Sequence, residues 1–408
     1  MKRIVFVAPP FAGHLNPLMA LANSAKSAGF ETDVITGPRK VATVERFGHR
    51  AIRLRSIGMD TLESIANTAE PVRSNPFRLL AQFRQNLRLL PAIGDELVEL
   101  WRNDRPHMIV ADSVAPVAGL AADRLGIPWI TTAATPITIE TRSGIPSYCG
   151  GWMPGSPLRD AAGRAVIRTF KQTVALLFRE EFRRLGLRSV YREDGSETIY
   201  SPHAILGFGI SELEFERDWP SHFQMLGPVF ATPDQGPPFE FLEPHPRVLV
   251  THGTHLLWAK RTLMDEVREL SKAMPHVHFV VSFGDTEYKP PERTERVRAI
   301  SFLDYERHIE GFDAVIHHGG TGIAYAAISA GVPCLAVPRD YDQFDYAARL
   351  EYRGLGLRTN SIARAAPLLE RILDRTQWPA LAKFRDYARA YTPGATFLAT
   401  VNRLSQSL

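Results

Sequence analysis

Residues 314–338 of the chain read AVIHHGGTGIAYAAISAGVPCLAVP. An apolar run at 314–317 leads through a glycine-rich turn into a helical pattern at 323–330, and a second apolar run follows at 333–337. A strand, a tight turn, a helix and a second strand in this order form the unit from which parallel α/β sheets are built. The stretch therefore predicts a doubly wound α/β domain in this half of the chain.

The same alternation extends upstream of this stretch as far as residue 247. Further strands are predicted at 248–250, 277–281 and 297–302, and a helix at 262–273. Residues 231–246 are polar and rich in proline, a composition typical of stiff linkers. We therefore expect a linker at 231–246, a second domain at 247–385 and a terminal helical segment at 386–408.

The N-terminal half, residues 1–230, shows the same organisation and predicts a first domain. Asn16 is expected to cap the first helix, with Pro17 in its first position and Gly29 at its end. A second helix is expected at 115–125, and strands are expected at 3–8, 32–36, 108–111 and 129–132.

Composition sets limits on the class of protein. A chain of 408 residues fits two domains with a cleft between them, and 45% hydrophobic with 23% charged residues is typical of soluble globular proteins. The net charge of +4 does not indicate nucleic-acid binding. Cys149 and Cys334 have no spacing that indicates a disulfide framework or a zinc site. We expect a cytoplasmic protein without a transmembrane segment, and the oligomeric state stays open.

Two Rossmann-like domains raise the question of a bound dinucleotide. The turn after the first strand reads APPFAGH at 8–14, with one glycine and two prolines. The dinucleotide fingerprint needs three glycines there, so that the backbone can approach a pyrophosphate. NAD and FAD are therefore disfavoured, and no bound cofactor is expected.

The glycine-rich turn at 319–322 predicts an anion site. Its backbone amides lie at a helix N-terminus, which carries about half a positive charge. Only one of His317 and His318 is expected to face this site, because neighbouring strand residues point to opposite sides.

Carboxylates follow the next strand. The Asp342 and Gln343 side chains together can accept from and donate to the hydroxyl groups of a polyol. Asp340 and Asp342 also form an Asp-x-Asp pair that leaves a Mg²⁺ site open as an alternative.

A candidate general base lies in the first domain. His14 lies in the loop after the first strand, and Asp112 follows the 108–111 strand. Both positions belong to the carboxyl edge of one parallel sheet, so the two side chains are expected to meet as a base and its orienting carboxylate.

These motifs resemble the UDP-glycosyltransferase family, whose bacterial members glycosylate natural products and antibiotics. The resemblance rests on PPFAGHLNPLMALA at 9–22, on HHGGTG at 317–322 and on DQFDYAARLE at 342–351. It implies a GT-B fold, in which two Rossmann-like domains face a central cleft. It also implies an inverting, metal-independent transfer of a sugar from a UDP- or dTDP-sugar to a hydroxyl of a small, largely apolar acceptor.

The resemblance also implies roles for individual residues. His14 corresponds to the catalytic base and Asp112 to its partner, while Asp342 and Gln343 correspond to the pair that holds the sugar. Ile323 replaces a serine or threonine that commonly contacts phosphate. The remaining donor-binding residues expected from the family are Thr254, Phe302, Tyr305, His318, Gly320, Thr321 and Gly322, with Phe302 and Tyr305 standing where plant members have Trp and Gln.

The acceptor side is expected in the first domain, with the terminal helical segment crossing back to that domain as in the family. Residues 133–157 are rich in Thr, Ser, Gly and Pro and predict an irregular loop beside the acceptor. The apolar residues expected to line this side are Phe11, Ile137, Ile139, Ile145 and Trp152, although the same residues could equally belong to the core.

Two questions stay open at this point. The basic helical segment 159–192 fits a solvated helix face or a helix at a membrane surface, so peripheral membrane contact is an alternative. The chain as a whole also fits a non-catalytic nucleotide-sugar-binding protein or a GT-B epimerase.

Overall fold

The fold is described here from a computed structural model, which covers residues 2–66, 76–231, 238–254, 257–285, 289–290, 294 and 296–406. Within these residues the chain forms two parallel sheets, of seven and six strands. The predicted fold class of two parallel-sheet α/β domains is confirmed.

The first sheet has the strand order β3-β2-β1-β4-β5-β6-β7. Its central strands are buried and apolar, as expected for a sheet covered by helices on both faces. The strands are β1 Arg3–Val7, β2 Glu31–Ile35, β3 Arg50–Ile52, β4 Met108–Asp112, β5 Trp129–Ala133, β6 Ile205–Phe208 and β7 Phe223–Gly227.

Helices cover both faces of this sheet, and each face has its own hydrophobic core. Gly126 ends the helix that precedes β5 with a φ of 62°, a left-handed conformation that favours glycine. The helices are α1 Ala12–Ser27, α2 Val41–Arg46, α3 Thr61–Ala66, α4 Pro76–Asn103, α5 Pro116–Leu125, α6 Pro157–Leu177 and α7 Arg179–Arg184, with 3₁₀ turns at Pro38–Lys40 and Pro136–Thr138.

The start of α1 differs from the expectation. The helix begins at Ala12, so Asn16 is not its cap and Pro17 lies inside it. Pro17 is tolerated because it lies just beyond the first turn, where only one backbone hydrogen bond to the carbonyl of Gly13 is lost. His14 therefore lies in the first turn of a helix rather than in a loop.

The second sheet has the order β10-β9-β8-β11-β12-β13 around a single hydrophobic core. Its strands are β8 Arg247–Thr251, β9 His278–Ser282, β10 Val297–Ile300, β11 Ala314–His317, β12 Cys334–Ala336 and β13 Gly356–Arg358. Its helices are α8 Leu257–Lys260, α9 Leu263–Ala273, α10 Tyr305–His308, α11 Thr321–Ala330, α12 Gln343–Tyr352, α13 Ala366–Leu373 and α14 Ala380–Ala390, with 3₁₀ turns at Ile309–Gly311 and Arg375–Gln377.

The last helix, α15 Pro393–Gln406, packs on the first domain. The Phe397 ring lies 6.0 Å from the Phe6 ring of β1, and Val401 is buried in the same core. Residues 232–237 of the expected linker lie outside the described residues.

A buried cluster of charges joins the two domains. Arg349 of α12 donates to Glu214 of the first domain at 3.0 Å, and Arg217 donates to the same carboxylate at 3.3 Å. All three side chains are at most 2% exposed. Asp345 of α12 also accepts from the backbone N–H groups of Gly150 and Gly151, at 3.2 and 3.3 Å. The acceptor-side loop is therefore attached to a helix of the second domain.

Among the described residues, no helix is long and apolar enough to cross a membrane. The cytoplasmic location stays a prediction.

Candidate active site

A cavity of about 560 Å³ opens where the two domains face each other. In the first domain its wall includes Ala8, which follows β1, and Thr36, which follows β2. In the second domain it includes Gly253, just beyond β8, and His318, which follows β11. Both sheets thus present their carboxyl edges to one space, the place where open α/β sheets bind ligands. The cavity brings together His14 and His318, which are 304 residues apart by their numbers.

His14 and Asp112 meet at the first-domain side of the cavity. His14 Nδ1 lies 3.0 Å from Asp112 Oδ1 and 3.1 Å from Oδ2. The Asp112 side chain is fully buried and also accepts from the Val114 N–H at 2.8 Å. With Nδ1 donating to the carboxylate, Nε2 of His14 is the nitrogen left to accept a proton from a ligand.

The surroundings of His14 favour its protonated form. Burial by itself would lower the pKa of His14, but the charge of Asp112, the hydrogen bond to Asp112 and the charge of Asp342 together raise the pKa above its ordinary value. A histidine whose pKa is raised is a stronger base, and its side chain is still 20% exposed to the cavity.

The glycine-rich turn forms the opposite side. The helix α11 begins at Thr321, two residues earlier than expected, with Gly320 as its N-cap. Gly320, Thr321 and Gly322 line the cavity together with His318. His317 instead is buried in the strand, where its Nδ1 accepts from the Gly319 N–H at 3.0 Å. As expected from strand geometry, only His318 faces the cavity.

Glycines make room for the His318 ring. A Cβ atom added to Gly320 would lie 2.4 Å from His318 Nε2, and one added to Gly253 would lie 2.7 Å from Cε1. The imidazole therefore occupies the space that side chains at these two positions would fill. This arrangement places a ring nitrogen, backbone amides and a helix N-terminus around one point, where they can bind a phosphate.

Asp342 and Gln343 line the cavity at the N-terminus of α12. Gln343 Oε1 accepts from the backbone N–H groups of Arg339 and Asp340, at 2.9 and 3.1 Å, so its NH₂ group is the end that can donate to a hydroxyl. Burial raises the pKa of Asp342 to about 6, although the nearby His14 acts against this shift. The Asp342 carboxylate is thus close enough to His14 for each to affect the other.

The Asp-x-Asp pair does not face one point. Asp342 lines the cavity, whereas Asp340 lies outside its lining and accepts from the Tyr341 N–H at 3.1 Å. In the described parts of the chain, no group of three His, Cys, Asp or Glu side chains has the geometry of a metal site.

The other expected donor-binding residues also line the cavity. Thr254 and Phe302 lie in its wall, and the Phe302 ring is 37% exposed. The Tyr305 ring is in the wall too, but its hydroxyl group lies 3.0 Å from Thr251 Oγ1. Of these two aromatic residues, Phe302 is the more exposed.

The expected acceptor contacts need correction, except for Phe11, which lines the cavity with its ring 6.5 Å from that of His14. Ile137, Ile139 and Ile145 are each 1% exposed and lie outside the cavity lining, because the 3₁₀ turn and the loop after it fold inwards. Trp152 is 53% exposed and lines a separate shallow depression. These four residues therefore do not line the cavity, and the three isoleucines follow the alternative that places them in the core.

The comparisons with known proteins agree with this geometry. Residues 280–384 match a family model described as erythromycin biosynthesis protein CIII-like, C-terminal domain. The zeaxanthin glucosyltransferase of Pseudescherichia vulneris is 26% identical over 391 residues, which cover 91% of this chain and 89% of that protein. The 4'-demethylrebeccamycin synthase of Lentzea aerocolonigenes is 27% identical over 376 residues, which cover 87% of each.

A solved structure shows the same fold over the full chain. The Streptomyces sp. SF2575 glycosyltransferase SsfS6, complexed with thymidine diphosphate, superposes with a TM-score of 0.70 at 22% identity and covers 100% of both chains. The chain therefore has the GT-B fold, and its named relatives support a glycosyltransferase. The expected resemblance to bacterial natural-product glycosyltransferases is confirmed.

Much of the apolar wall on the first-domain side of the cavity comes from residues that sequence reasoning missed. Aliphatic side chains reach the cavity from the segments after β3 and from α3 and α4. They are Leu54, Ile57, Leu62, Ile65, Leu90 and Ile93. The helical pattern of α4 is the sequence signal that could have indicated these residues. The pattern alone does not say which side of the helix meets the cavity.

Two tyrosines of the glycosyltransferase were also missed. Tyr148 and Tyr341 both line the cavity, and both have a φ of 53°, which is uncommon for residues other than glycine. The Tyr341 hydroxyl accepts from Gln82 Nε2 of α4 at 3.2 Å. Such backbone strain persists only where the surroundings hold it, and it is often found at functional sites. Tyr341 therefore connects the segment before α12 with α4 across the cavity.

Proposed function

We propose that this glycosyltransferase is an inverting, metal-independent enzyme that moves a sugar from a dTDP- or UDP-sugar to a hydroxyl of a largely apolar acceptor. In this proposal His14 is the general base and Asp112 orients it. The observation that carries the proposal is the 3.0 Å contact of His14 Nδ1 with Asp112 Oδ1, which leaves Nε2 for the cavity.

The reaction follows from the two sides of the cavity. His14 Nε2 takes the proton of the acceptor hydroxyl while the oxygen attacks the anomeric carbon of the sugar. The bond from that carbon to the diphosphate oxygen breaks, and the diphosphate leaves with the electron pair. Since attack and departure are on opposite faces, one displacement inverts the configuration. Asp112 stabilises the imidazolium that forms.

The leaving diphosphate is assigned to the turn before α11. Its backbone amides, the helix N-terminus and His318 supply positive potential at a fixed place, which is an effective way to stabilise developing charge. This potential supports a donor site that works without a divalent cation. The separate orientations of Asp340 and Asp342 also support it.

The choice of donor and acceptor rests on different observations. Thymidine diphosphate is bound in the solved SsfS6 structure, so dTDP-sugars are the first donors to test and UDP-sugars the second. The aliphatic wall formed with α3 and α4 supports an acceptor with a large apolar part, because apolar walls favour apolar ligands.

The test is a transfer assay with EDTA present, using a panel of dTDP- and UDP-sugars and hydroxylated apolar acceptors. Mass spectrometry should detect an acceptor with one added sugar, and the NMR coupling of the anomeric proton should show inversion. Retention of configuration, or activity lost with EDTA and restored by Mg²⁺, would contradict the proposal. Nucleotide release or sugar isomerisation from the donor alone would favour the epimerase alternative. Binding without turnover would favour the non-catalytic one.

A further inference from the structure

One side of α6 carries a continuous apolar surface that faces away from the protein. We call it the outer face of α6. The large apolar side chains on it are Leu158, Val166, Phe170, Leu176 and Leu177, with exposed fractions of 81, 66, 57, 69 and 65%. At 100° per residue these positions fall on one side of a helix. The smaller exposed residues between them are Ala162, Ala165, Thr169 and Thr173.

The opposite side of α6 is firmly attached to the first domain. Lys171 Nζ lies 2.6 Å from Glu197 Oε1 and 2.9 Å from Glu140 Oε1, and both carboxylates are largely buried. Val174 packs against the core, and Phe178 just after the helix is buried in it. The buried side thus fixes the rotation of α6, and the outer face is exposed as a consequence of this packing.

Basic side chains predominate around the outer face. No Asp or Glu occurs between Asp160 and Glu180. Exposed arginines follow the face at 179, 184 and 188, and the exposed Glu180 among them is paired with Arg183. This distribution is complementary to a negatively charged surface.

An exposed tryptophan lies at the N-terminal end of the face. Trp152 is 53% exposed, and the Arg159 guanidinium lies 5.4 Å from its ring. Tryptophan side chains are enriched at the level of lipid head groups, where the ring is partly apolar and its N–H can still reach water.

We propose that the outer face of α6 is a docking surface for an anionic lipid bilayer, on which the helix lies in the plane of the membrane. The leucine, valine and phenylalanine side chains would enter the boundary between head groups and acyl chains, and the arginines would bind lipid phosphates. The 21 residues of α6 span about 30 Å, so the whole helix contacts the bilayer along its length. Docking does not depend on the proposed transfer reaction.

The shape of the face favours a bilayer over a protein partner. The apolar side chains project from a single convex helix, and all the large ones are more than half exposed. The same helix touches the acceptor-side loop, because Arg164 donates to the Gly144 carbonyl and Gly163 packs against Pro146. Docking therefore places the loop that carries Tyr148 close to the membrane surface.

The test uses the full chain in vesicle flotation, with phosphatidylglycerol–phosphatidylcholine vesicles compared with phosphatidylcholine alone. We expect binding to the anionic vesicles that weakens as salt increases. The substitutions Val166→Asp and Phe170→Asp together should weaken it by roughly tenfold or more, because they place charge in the buried half of the contact. Arg179→Gln with Arg188→Gln should weaken binding to anionic vesicles only.

Leu242→Asp is the matched control, since Leu242 is also exposed, at 46%, but lies far along the chain from α6. Thermal unfolding confirms that each variant folds. Wild-type protein that does not float with anionic vesicles, or outer-face variants that float equally well, would overturn the proposal. A wild-type dimer that these variants dissociate would assign the face to a second copy instead. Transfer to a water-soluble acceptor should be unchanged in the variants, so a failure of docking is distinguishable from a failure of the proposed function.

Discussion

His14 contacts the Asp112 carboxylate, lies beside the Phe11 ring, and has its pKa raised in part by the charge of Asp342. A base in this position should contribute to turnover and little to donor binding. Replacement of His14 by Ala is expected to lower kcat by roughly 10²- to 10⁴-fold, the usual contribution of a positioned general base. Steady-state kinetics and calorimetric titration with dTDP separate the two effects.

His107→Ala is the matched control, because His107 lies in the same domain outside the cavity lining and bonds to Ser405 at 2.8 Å. It should retain full activity. Full activity in His14→Ala with several acceptors would remove the base assignment and leave the fold and ligand class intact.

The pH dependence should reveal the charge of Asp112. The neutral form of His14 is the base, so kcat/KM falls as the pH drops through the pKa of His14, which the charges of Asp112 and Asp342 raise. Asp112→Asn removes one of these charges and lowers that pKa. The acid limb of kcat/KM should therefore move to lower pH in this variant, while the plateau itself decreases. An unmoved limb would mean that another group titrates.

Single residues also show what the sequence could reveal. His14 and Asp112 were predictable because both follow strands of one parallel sheet, and the ends of such strands meet at one edge. The sequence could not place Ile137 and Ile145 correctly, because the same apolar residue types occur in a hydrophobic core and in the wall of a cavity. Which of the two it lines depends on how the loop folds back, and this is decided by tertiary packing.

At the scale of elements, α11 and the turn before it line the part of the cavity that we assign to the donor. Gly320→Ala would place a Cβ atom 2.4 Å from His318 Nε2 and should displace the ring. The loss of a hydrogen bond to a charged phosphate corresponds to roughly 10- to 100-fold weaker dTDP binding. His318→Ala should weaken binding to a similar extent.

Calorimetric titration measures the affinity of both variants for dTDP. His317→Gln is the control, because the His317 imidazole is buried away from the cavity. Undiminished dTDP affinity in His318→Ala would move the phosphate site elsewhere in the cleft.

The elements themselves were predicted well where glycine and apolar runs mark their ends. The predicted start of α1 was wrong because proline is common in the first helical position, so Pro17 indicated a helix start that actually lies at Ala12. The positions of α3 and α4 beside the cavity could not be predicted, since the docking of helices depends on side chains from distant segments.

At the scale of the whole molecule, the Glu214 carboxylate lies between Arg349 of the second domain and Arg217 of the first. Glu214→Ala would leave two buried guanidinium groups without this carboxylate. Removal of one partner from a buried charge pair costs about 3–5 kcal/mol, so we expect a clear decrease in the thermal midpoint. Scanning calorimetry measures it.

Glu180→Ala provides the comparison, because it removes a carboxylate from Arg183 in a pair whose side chains are 59 and 77% exposed. Exposed pairs contribute about 0–1 kcal/mol, and the midpoint should hardly change. Equal shifts in the two variants would show that the buried cluster does not hold the domains together.

The double attachment of α12 has a consequence for hybrid enzymes. Gln343 at its start lines the part of the cavity that we assign to the sugar, while Asp345 and Arg349 further along bind the loop and the Glu214 carboxylate of the other domain. A chimera that joins this acceptor half to the donor half of a relative would therefore need both Asp345 and Arg349 in the incoming helix. Donor halves that lack them would bring a new sugar preference together with a misplaced acceptor loop, so compatible partners for recombination can be chosen from these two positions.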